Sequence, residues 1–381
     1  MGYGILVNLL FAQVPKIGSD TTLDIAQWNI EWFGDSLNGP NNEAVQLKNA
    51  SNVLLEMQMD IYSLCEISNP GYWQMLQKKL PEYGAVITSY SQSQKTALLY
   101  RKSMFRLLYS KSILLAFDYE FAGGRFPLEV ALESQWGKKK DTLYFWVIHL
   151  KANTGSNSEK ISAYNRRQKA AEELKNYTDS KKGLKGFIMG DWNDDLDVSI
   201  VSGKESPFLV WRNDSDYLFP SYRLSLEKQK STAAYSEMID HICVSKAIKQ
   251  NYLPKQSGIM VGDSYIASYR YNTSDHYPVW AKFSMDLSLS ANVTSVDPQA
   301  FSFVADDYLF WSGKQWEWKL HKPFLHNTML MDGISQVFSA DGKRLFRGNI
   351  LEYIPQSPGV YYFVIQLSTG KMYHQKMMWV E

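Results

Sequence analysis

The feature that most constrains this chain is the run Thr142–Leu150, TLYFWVIHL. It is nearly continuous in apolar residues over the length of one strand. A half-solvated strand would alternate, so this pattern predicts a β-strand buried on both faces. Together with the alternation of strands and helices up to about residue 285, it suggests a layered α/β domain. Leu23–Ile30, Ile61–Ile67, Ala85–Ser89, Thr96–Tyr100, Ser112–Phe117, Phe126–Leu132, Gly186–Met189, Met238–Val244 and Pro278–Phe283 also read as strands. Glu43–Met57, Tyr72–Leu80 and Ile161–Tyr177 read as helices, the first from its apolar spacing.

Hydrophobic residues make up 45% of the 381, and charged residues 21%. That excludes a mostly disordered chain and allows a large core. The net charge of +1 excludes a polycation seeking nucleic acid or anionic lipid along its whole length. Locally, residues 138–185 hold twelve Lys and Arg against five Asp and Glu, including Lys138, Lys139, Lys140, Lys151, Arg166, Arg167 and Lys169. This excess is either a solvated face or a footprint for a phosphate backbone. Two cysteines, Cys65 and Cys243, cannot form a disulfide framework and read as buried thiols. No run of 18 apolar residues exists. Gly4–Ala12 has the length of a signal-peptide core, although no basic residue precedes it; a buried first strand is the alternative.

The polar residues of interest sit where strands end, as a rigidly held site requires. Asn29 closes QWNIEWFG, Glu66 closes DIYSLCEI and His149 ends FWVIHLKA. Asp191 and Asn193 follow in FIMGDWND, Asp240 in EMIDHICVS, and Asp275 and His276 in TSDHYPVW. Arg125 precedes Pro127 in GGRFPLEV. Each alone reads as a cap, a turn residue or a core histidine. Together they form a coherent set. Glu66 and Asn29 are hard oxygen ligands suited to Mg²⁺. Asp191 and Asn193, two apart in extended backbone, point the same way. Two histidines can share acid and base work, and Arg125 can take a phosphate fork-wise. This is an inventory for metal-assisted phosphodiester hydrolysis.

These seven motifs, in their chain order over residues 22–284 with GGRFPLEV third, resemble the endonuclease/exonuclease/phosphatase superfamily, the deoxyribonuclease-like fold. The resemblance implies a four-layer αββα sandwich. It implies that Asn29 and Glu66, helped by Asp275, bind Mg²⁺, with Mn²⁺ or Ca²⁺ as substitutes. Asp191 then aligns or deprotonates the attacking water, and Asn193 lies on the phosphate. His149 takes the first histidine position, while His276 contacts phosphate and is held by Asp240. Glu31 assists the metal or is a plain turn acid. IHLKA followed by a helix with Arg166 and Arg167 looks most like secreted bacterial nucleases, which makes both arginines candidates for substrate contact. The expected substrate is DNA, with RNA also possible. A phospholipid or inositol phosphate is the alternative within this fold, and a non-catalytic surface-binding protein is the alternative outside it.

The tail resembles the C-terminal sorting domain of type IX secretion, through VFSADGKRLFRG, SPGVYYFVIQLSTG and KMMWVE. That resemblance implies a small β-sandwich with a turn at Asp341–Gly342, passage through the outer-membrane secretion machinery, and a secreted or cell-surface protein. The rival is a binding module with Trp311, Trp316 and Trp318 as its platform. The expected organisation is a leader and lead-in over 1–20, a catalytic domain over 21–285, a linker over 286–298 and a β-rich domain over 299–381.

Overall fold

A computed structural model describes residues 12–136, 140–181, 183–233 and 235–286, together with six strands between 308 and 379. The chain divides into two compact units, residues 1–252 with 256–289, and residues 290–381 with 253–255. The first begins with β1 (Thr22–Phe33), α1 (Glu43–Met57), β2 (Ile61–Ile67), α2 (Pro70–Lys79), β3 (Tyr83–Ile87) and β4 (Lys95–Arg101). Then come β5 (Phe105–Ser112), β6 (Leu128–Ser134), β7 (Thr142–His149), α3 (Asn157–Asp179) and β8 (Lys185–Asp191). Short elements complete it: α4 (Leu209–Arg212), β9 (Tyr217–Leu218), α5 (Tyr222–Leu226), β10 (Asp240–Ser245), α6 (Lys246–Lys249), β11 (Tyr252–Ile259), α7 (Tyr269–Asn272) and β12 (Val279–Ser284).

The strands form two six-stranded sheets, ordered β11-β12-β1-β2-β4-β3 and β5-β6-β7-β8-β10-β9. Each sheet is antiparallel except for its central pair: β1 runs parallel to β2, and β7 parallel to β8. Strand parity explains the layers. Leu23, Ile25, Val279 and Phe283 of one sheet meet Val130, Phe145, Val147, Phe187, Met189 and Ile242 of the other. Phe187 stacks on Phe145 at 5.0 Å and meets Phe283 edge-on at 5.2 Å across the interface, each pair worth about 0.5–1.5 kcal/mol beyond burial. The alternate residues Ala26, Trp28, Ile30 and Leu64 face Leu47, Leu54, Trp73 and Leu76 of α1 and α2. On the far side, Trp146, Ile148 and Ile188 face Ala170, Ala171 and Leu174 of α3. The result is the expected αββα sandwich.

Two local expectations change, and one strand, β11, has no counterpart among the expected elements. The strand expected at 112–117 lies earlier, as β5, and Ile113–Pro127 is a looped segment. This is an edge strand with mostly exposed side chains, so burial wrote little pattern into it. β11 carries Pro254 and Gly258, both tolerated because it too is an edge. α3 starts at Asn157, four residues before the expected Ile161, because Ser156 and Glu159 form a capping box.

The described residues of the second unit beyond 289 are all in β-strands. β13 (Tyr308–Trp311) pairs with β14 (Trp316–Lys319). β15 (Ile334–Ser339), β16 (Arg344–Gly348), β17 (Gly359–Gln366) and β18 (Met372–Trp379) form an antiparallel sheet ordered β16-β15-β17-β18. Residues 1–11 of the expected leader, 287–298 of the expected linker, Lys138, Lys139 and the Asp341–Gly342 turn lie outside the described residues.

Candidate active site

The site follows from the same parity that builds the core. On β1 the inward face reads Leu23, Ile25, Gln27, Asn29, and on β8 it reads Phe187, Met189, Asp191. On β7 it ends in His149, and on β10 it begins with Asp240. Register puts His149 beside Asp191 and Asp191 beside Asp240. The two inward faces are therefore apolar along their length and turn polar at one end of the sandwich. Gly190 is required there: at φ +156°, an added Cβ would lie 2.0 Å from the Ile148 carbonyl oxygen.

Glu66 reaches the site against parity. Alternation on β2 would send it outward with Tyr62 and Leu64. A left-handed backbone at Glu66 (φ +66°) and a register break between Leu64 and Ile67 turn it inward. Asn29 Nδ2 then donates to Glu66 Oε1 and Asp191 Oδ2, both at 3.0 Å. The Trp32 amide donates to Glu66 Oε2 at 3.0 Å, from a turn in which Glu31 and Trp32 also have positive φ. Strain of this kind persists only where surrounding structure imposes it. The Asn29 Oδ1 accepts from the Glu31 amide at 3.0 Å. Asn29 thus bridges two acids through its nitrogen, and its oxygen is not turned toward them as an oxygen ligand's would be.

His149 Nε2 stands 3.6 Å from Glu66 Oε1 and 3.5 Å from Asp191 Oδ2. Arg125 Nη1 lies 2.8 Å and 2.6 Å from its two ring nitrogens. Burial, then the Arg125 and His276 charges, hold His149 well below the usual histidine range, so it is neutral at pH 7. Arg125 itself is 6% exposed and also donates to Gln94 Oε1 (3.2 Å) and the Leu150 carbonyl (3.1 Å). It reaches the site but is spent on His149 and its neighbours; no free fork is presented.

His276 is the opposite case. Burial disfavours its charge, but Asp240, Asp275 and Asp191 outweigh this and raise it well above the usual range. Its Nδ1 lies 2.7 Å from Asp240 Oδ2. Asp240 also accepts from Ser231 Oγ (2.8 Å) and Gln27 Nε2 (3.1 Å). His276 Nε2 faces Asp191 Oδ2 at 3.9 Å and Asp275 Oδ1 at 3.8 Å. Burial and the Asp240 charge push Asp191 up to about 7. Asp275 sits at the rim, with Oδ2 3.6 Å from Arg270 Nη1.

Asn193 does not continue an extended strand. β8 ends at Asp191, Asn193 is left-handed (φ +56°), and its amide donates to Asp191 Oδ1 at 2.9 Å. The expected common direction of the two side chains gives way to an Asx-type turn. Arg167 is a clear correction. It is fully buried in α3, bonding Asp194 Oδ2 through Nη2 (2.8 Å) and Nε (3.1 Å), and cannot touch a substrate. Arg166, one position earlier, is half-buried, its guanidinium 4.3 Å over the Tyr119 ring. The basic excess also shrinks in space, because acids from outside the segment pair with it: Glu133 with Lys140, Asp214 with Lys175 and Asp194 with Arg167.

Several site-holding residues carried no recognised signal. Buried Gln46 of α1 accepts from the Gly34 amide and donates to the carbonyls of Ile30, Glu31 and Thr273. It ties the Glu31–Trp32 turn to the loop that carries His276. Ser274 makes a second tie, donating to the Asn29 carbonyl (2.7 Å) and accepting from the His276 amide (3.0 Å). Arg270 of α7 bonds Glu31 Oε1 at 2.8 Å. Gln27 alone was findable, two residues before Asn29 on the same face.

The donor set fits a divalent cation. One atom each from Glu66, His149 and Asp191 lie within 4.8 Å of one another, as do atoms of Asp191, Asp240 and His276. Glu31 Oε2 is buried without a hydrogen-bond partner, and burial together with Asp275 pushes Glu31 up to about 7. Arg270 pairs with the other oxygen of Glu31 at 2.8 Å, so Oε2 is the oxygen left without a partner.

No protein-family model matches the sequence, and no curated protein does. Solved structures do match the fold. D. rerio TDP2 complexed with a single-strand DNA product has a TM-score of 0.51 at 19% identity, over 70% of this chain and 100% of that one. An endonuclease/exonuclease/phosphatase family protein from Bacteroides thetaiotaomicron has a TM-score of 0.50 at 14% identity, over 70% and 98%. The fold is thus that of the endonuclease/exonuclease/phosphatase proteins.

Proposed function

We propose that this chain is a divalent-metal-dependent hydrolase that cleaves phosphodiester bonds of DNA, and of RNA, with little sequence preference. The observation that carries this reading is the pairing of opposites in one polar cluster. Neutral His149 and charged His276 flank Asp191 and Glu66. Glu66 would hold the cation, with Glu31, Asp191 and the rim acid Asp275 within the same acidic cluster. When bound, Mg²⁺ polarises a phosphoryl oxygen and offsets developing negative charge. Asp191 Oδ2 is free of the Asn193 amide and, near neutrality, suits the receipt of a proton from water. His276 offers a charged Nε2–H to a phosphoryl oxygen while Asp240 fixes the proton on Nδ1. Arg125 keeps an N–H on His149, so that ring accepts rather than donates on that side.

The test is hydrolysis by the purified chain of plasmid DNA, RNA, sphingomyelin vesicles and an inositol polyphosphate, with Mg²⁺ or with chelator. The nuclease reading expects Mg²⁺-dependent cleavage of DNA. Preference for either of the last two substrates would overturn the substrate class, and no hydrolysis of any would overturn the enzyme. We also propose that residues 299–381 serve export through the outer-membrane secretion machinery, on the strength of the motifs quoted above. Deleting 330–381 should leave nuclease activity intact and trap the protein in the periplasm; normal export would overturn this.

A further inference from the structure

We propose that Lys151 and Arg166 form a subsite for a second phosphate, next to the one that is cleaved. This rests on the phosphodiesterase reading for its biological sense, but the geometry stands by itself. Lys151 lies two residues beyond His149, at the exit of β7. Its backbone is fixed on both sides. The Leu150 carbonyl accepts from Arg125 (3.1 Å) and Asn193 (3.1 Å), and the Lys151 carbonyl accepts from Arg167 Nη1 (2.8 Å). Buried Arg167 thus has a use: it anchors the strand exit to α3. A residue held this way presents its side chain at a defined place beside the site.

Lys151 is half-buried, and its Nζ has no carboxylate partner among the described residues. Burial, then the charges of Arg125, Arg166 and Arg167, disfavour its charged form, and Glu159 favours it. Glu159 is committed to the α3 cap, accepting from the Ser156 amide and hydroxyl at 2.7 Å each. Arg166 is similarly unspent. Its Nε donates to the Tyr119 carbonyl at 2.7 Å, and its terminal nitrogens have no partner among the described residues. Arg166 lines a groove of about 330 Å³ between α3 and the Tyr119 segment, with Ser162, Asn165 and Lys169 on its wall and Glu120 as its acid. Lys169 is already paired with Glu173 at 2.6 Å. Lys151 at the strand exit and Arg166 in the groove are therefore neighbouring cations, joined through Arg167, whose guanidinium holds the Lys151 carbonyl. Two neighbouring cations with no ion pair, among the described residues, between either of them and a carboxylate are complementary to a dianionic or polyanionic ligand. Two sources share that chemistry: the neighbouring phosphodiester of a nucleic acid, and a phosphate monoester elsewhere on a sugar ring.

The test is binding by the full chain in chelator, where nothing is turned over. Fluorescence anisotropy of a labelled hexanucleotide is titrated against NaCl for wild type, K151Q, R166Q and K151R. Each Gln variant should bind about threefold to tenfold more weakly, with a log K versus log salt slope shallower by about 0.7, the value for one lost phosphate on a single strand. K151R should restore most of the affinity. Competition by inositol hexakisphosphate gives the second arm. The ligand whose affinity falls in K151Q, hexanucleotide or inositol phosphate, identifies the source. Superimposable curves for wild type and K151Q with both ligands would overturn the proposal. A wild type that binds but hydrolyses nothing would refute the proposed function and leave the subsite standing.

Discussion

Replacing Asp240 with Asn separates a residue that holds from one that acts. Asp240 is fully buried and receives three donors on two oxygens: His276 Nδ1 and Ser231 Oγ on one, Gln27 Nε2 on the other. An amide has one acceptor oxygen. If it keeps His276 and Ser231, its NH₂ faces the Gln27 NH₂. If it flips, its NH₂ faces His276 and asks Nδ1 to accept. Either way a buried donor goes unpaired, at a cost of about 1–3 kcal/mol. For a domain of this size that is a fall in Tm of roughly 2–12 °C. The larger effect is electrostatic. Burial pulls His276 down, and Asp240 is the foremost charge pulling it up, so D240N lowers the His276 pKa. We expect kcat to fall ~10²–10⁴-fold, as for tautomer-fixing acids in other hydrolases. The basic limb of the kcat profile should also move toward acid. Stability should follow the same linkage. With the folded pKa raised, His276 contributes fully below about 6.5, its unfolded value, and the contribution is lost as pH rises through the folded value. The Tm gap between wild type and D240N should therefore narrow at high pH. Adding H276A to D240N should cost little beyond H276A alone, because the pair acts as one unit. A double loss equal to the product of the single losses, or a rate loss with an unmoved pH profile, would refute the reasoning.

Other outcomes follow from the same contacts. Q46L removes the clamp between the Glu31–Trp32 turn and the His276 loop; thermal melts should drop by several degrees, and steady-state kinetics should show the loss in kcat more than in KM. R167A leaves Asp194 as an uncompensated buried charge, so denaturant melts should show a loss of about 3–5 kcal/mol. Mg²⁺ binding by calorimetry should tighten about tenfold from pH 6 to pH 8, since Asp191, pushed up to about 7, must give up its proton to serve a cation.

What was legible in the sequence had a physical cause that acts along the chain. The apolar runs of β1, β7, β8 and β10 mark the strands, so Asn29, His149, Asp191 and Asp240 could be placed at strand ends; that the four share one inward face is a parity visible only once the sheets are packed. Glu66 could be picked as a strand-end acid, but its direction depends on one left-handed residue that no periodicity records. Arg166 and Arg167 are adjacent and identical in type, yet α3 turns one outward and buries the other against Asp194. Charge counting along 138–185 could not see partners contributed from elsewhere, such as Glu133 and Asp214. Gln46 was invisible because a glutamine on a helix face reads as solvated; only the folded chain shows the four backbone groups around it. The early edge strand β5 was displaced for a related reason, its side chains being set by solvent more than by a core.

The central claim is that the Glu66 carboxylate holds a cation on which hydrolysis depends. The direct measurement is the initial rate of plasmid cleavage against free Mg²⁺ for wild type and E66Q. The amide can keep a hydrogen bond from the Trp32 N–H, so the fold should survive and circular dichroism should match wild type. The account predicts a saturable Mg²⁺ dependence in wild type, abolished by chelator, and a rate at least ~10²-fold lower in E66Q, as expected when metal stabilisation of several kcal/mol is removed. A folded E66Q with wild-type rate and wild-type Mg²⁺ dependence would contradict it.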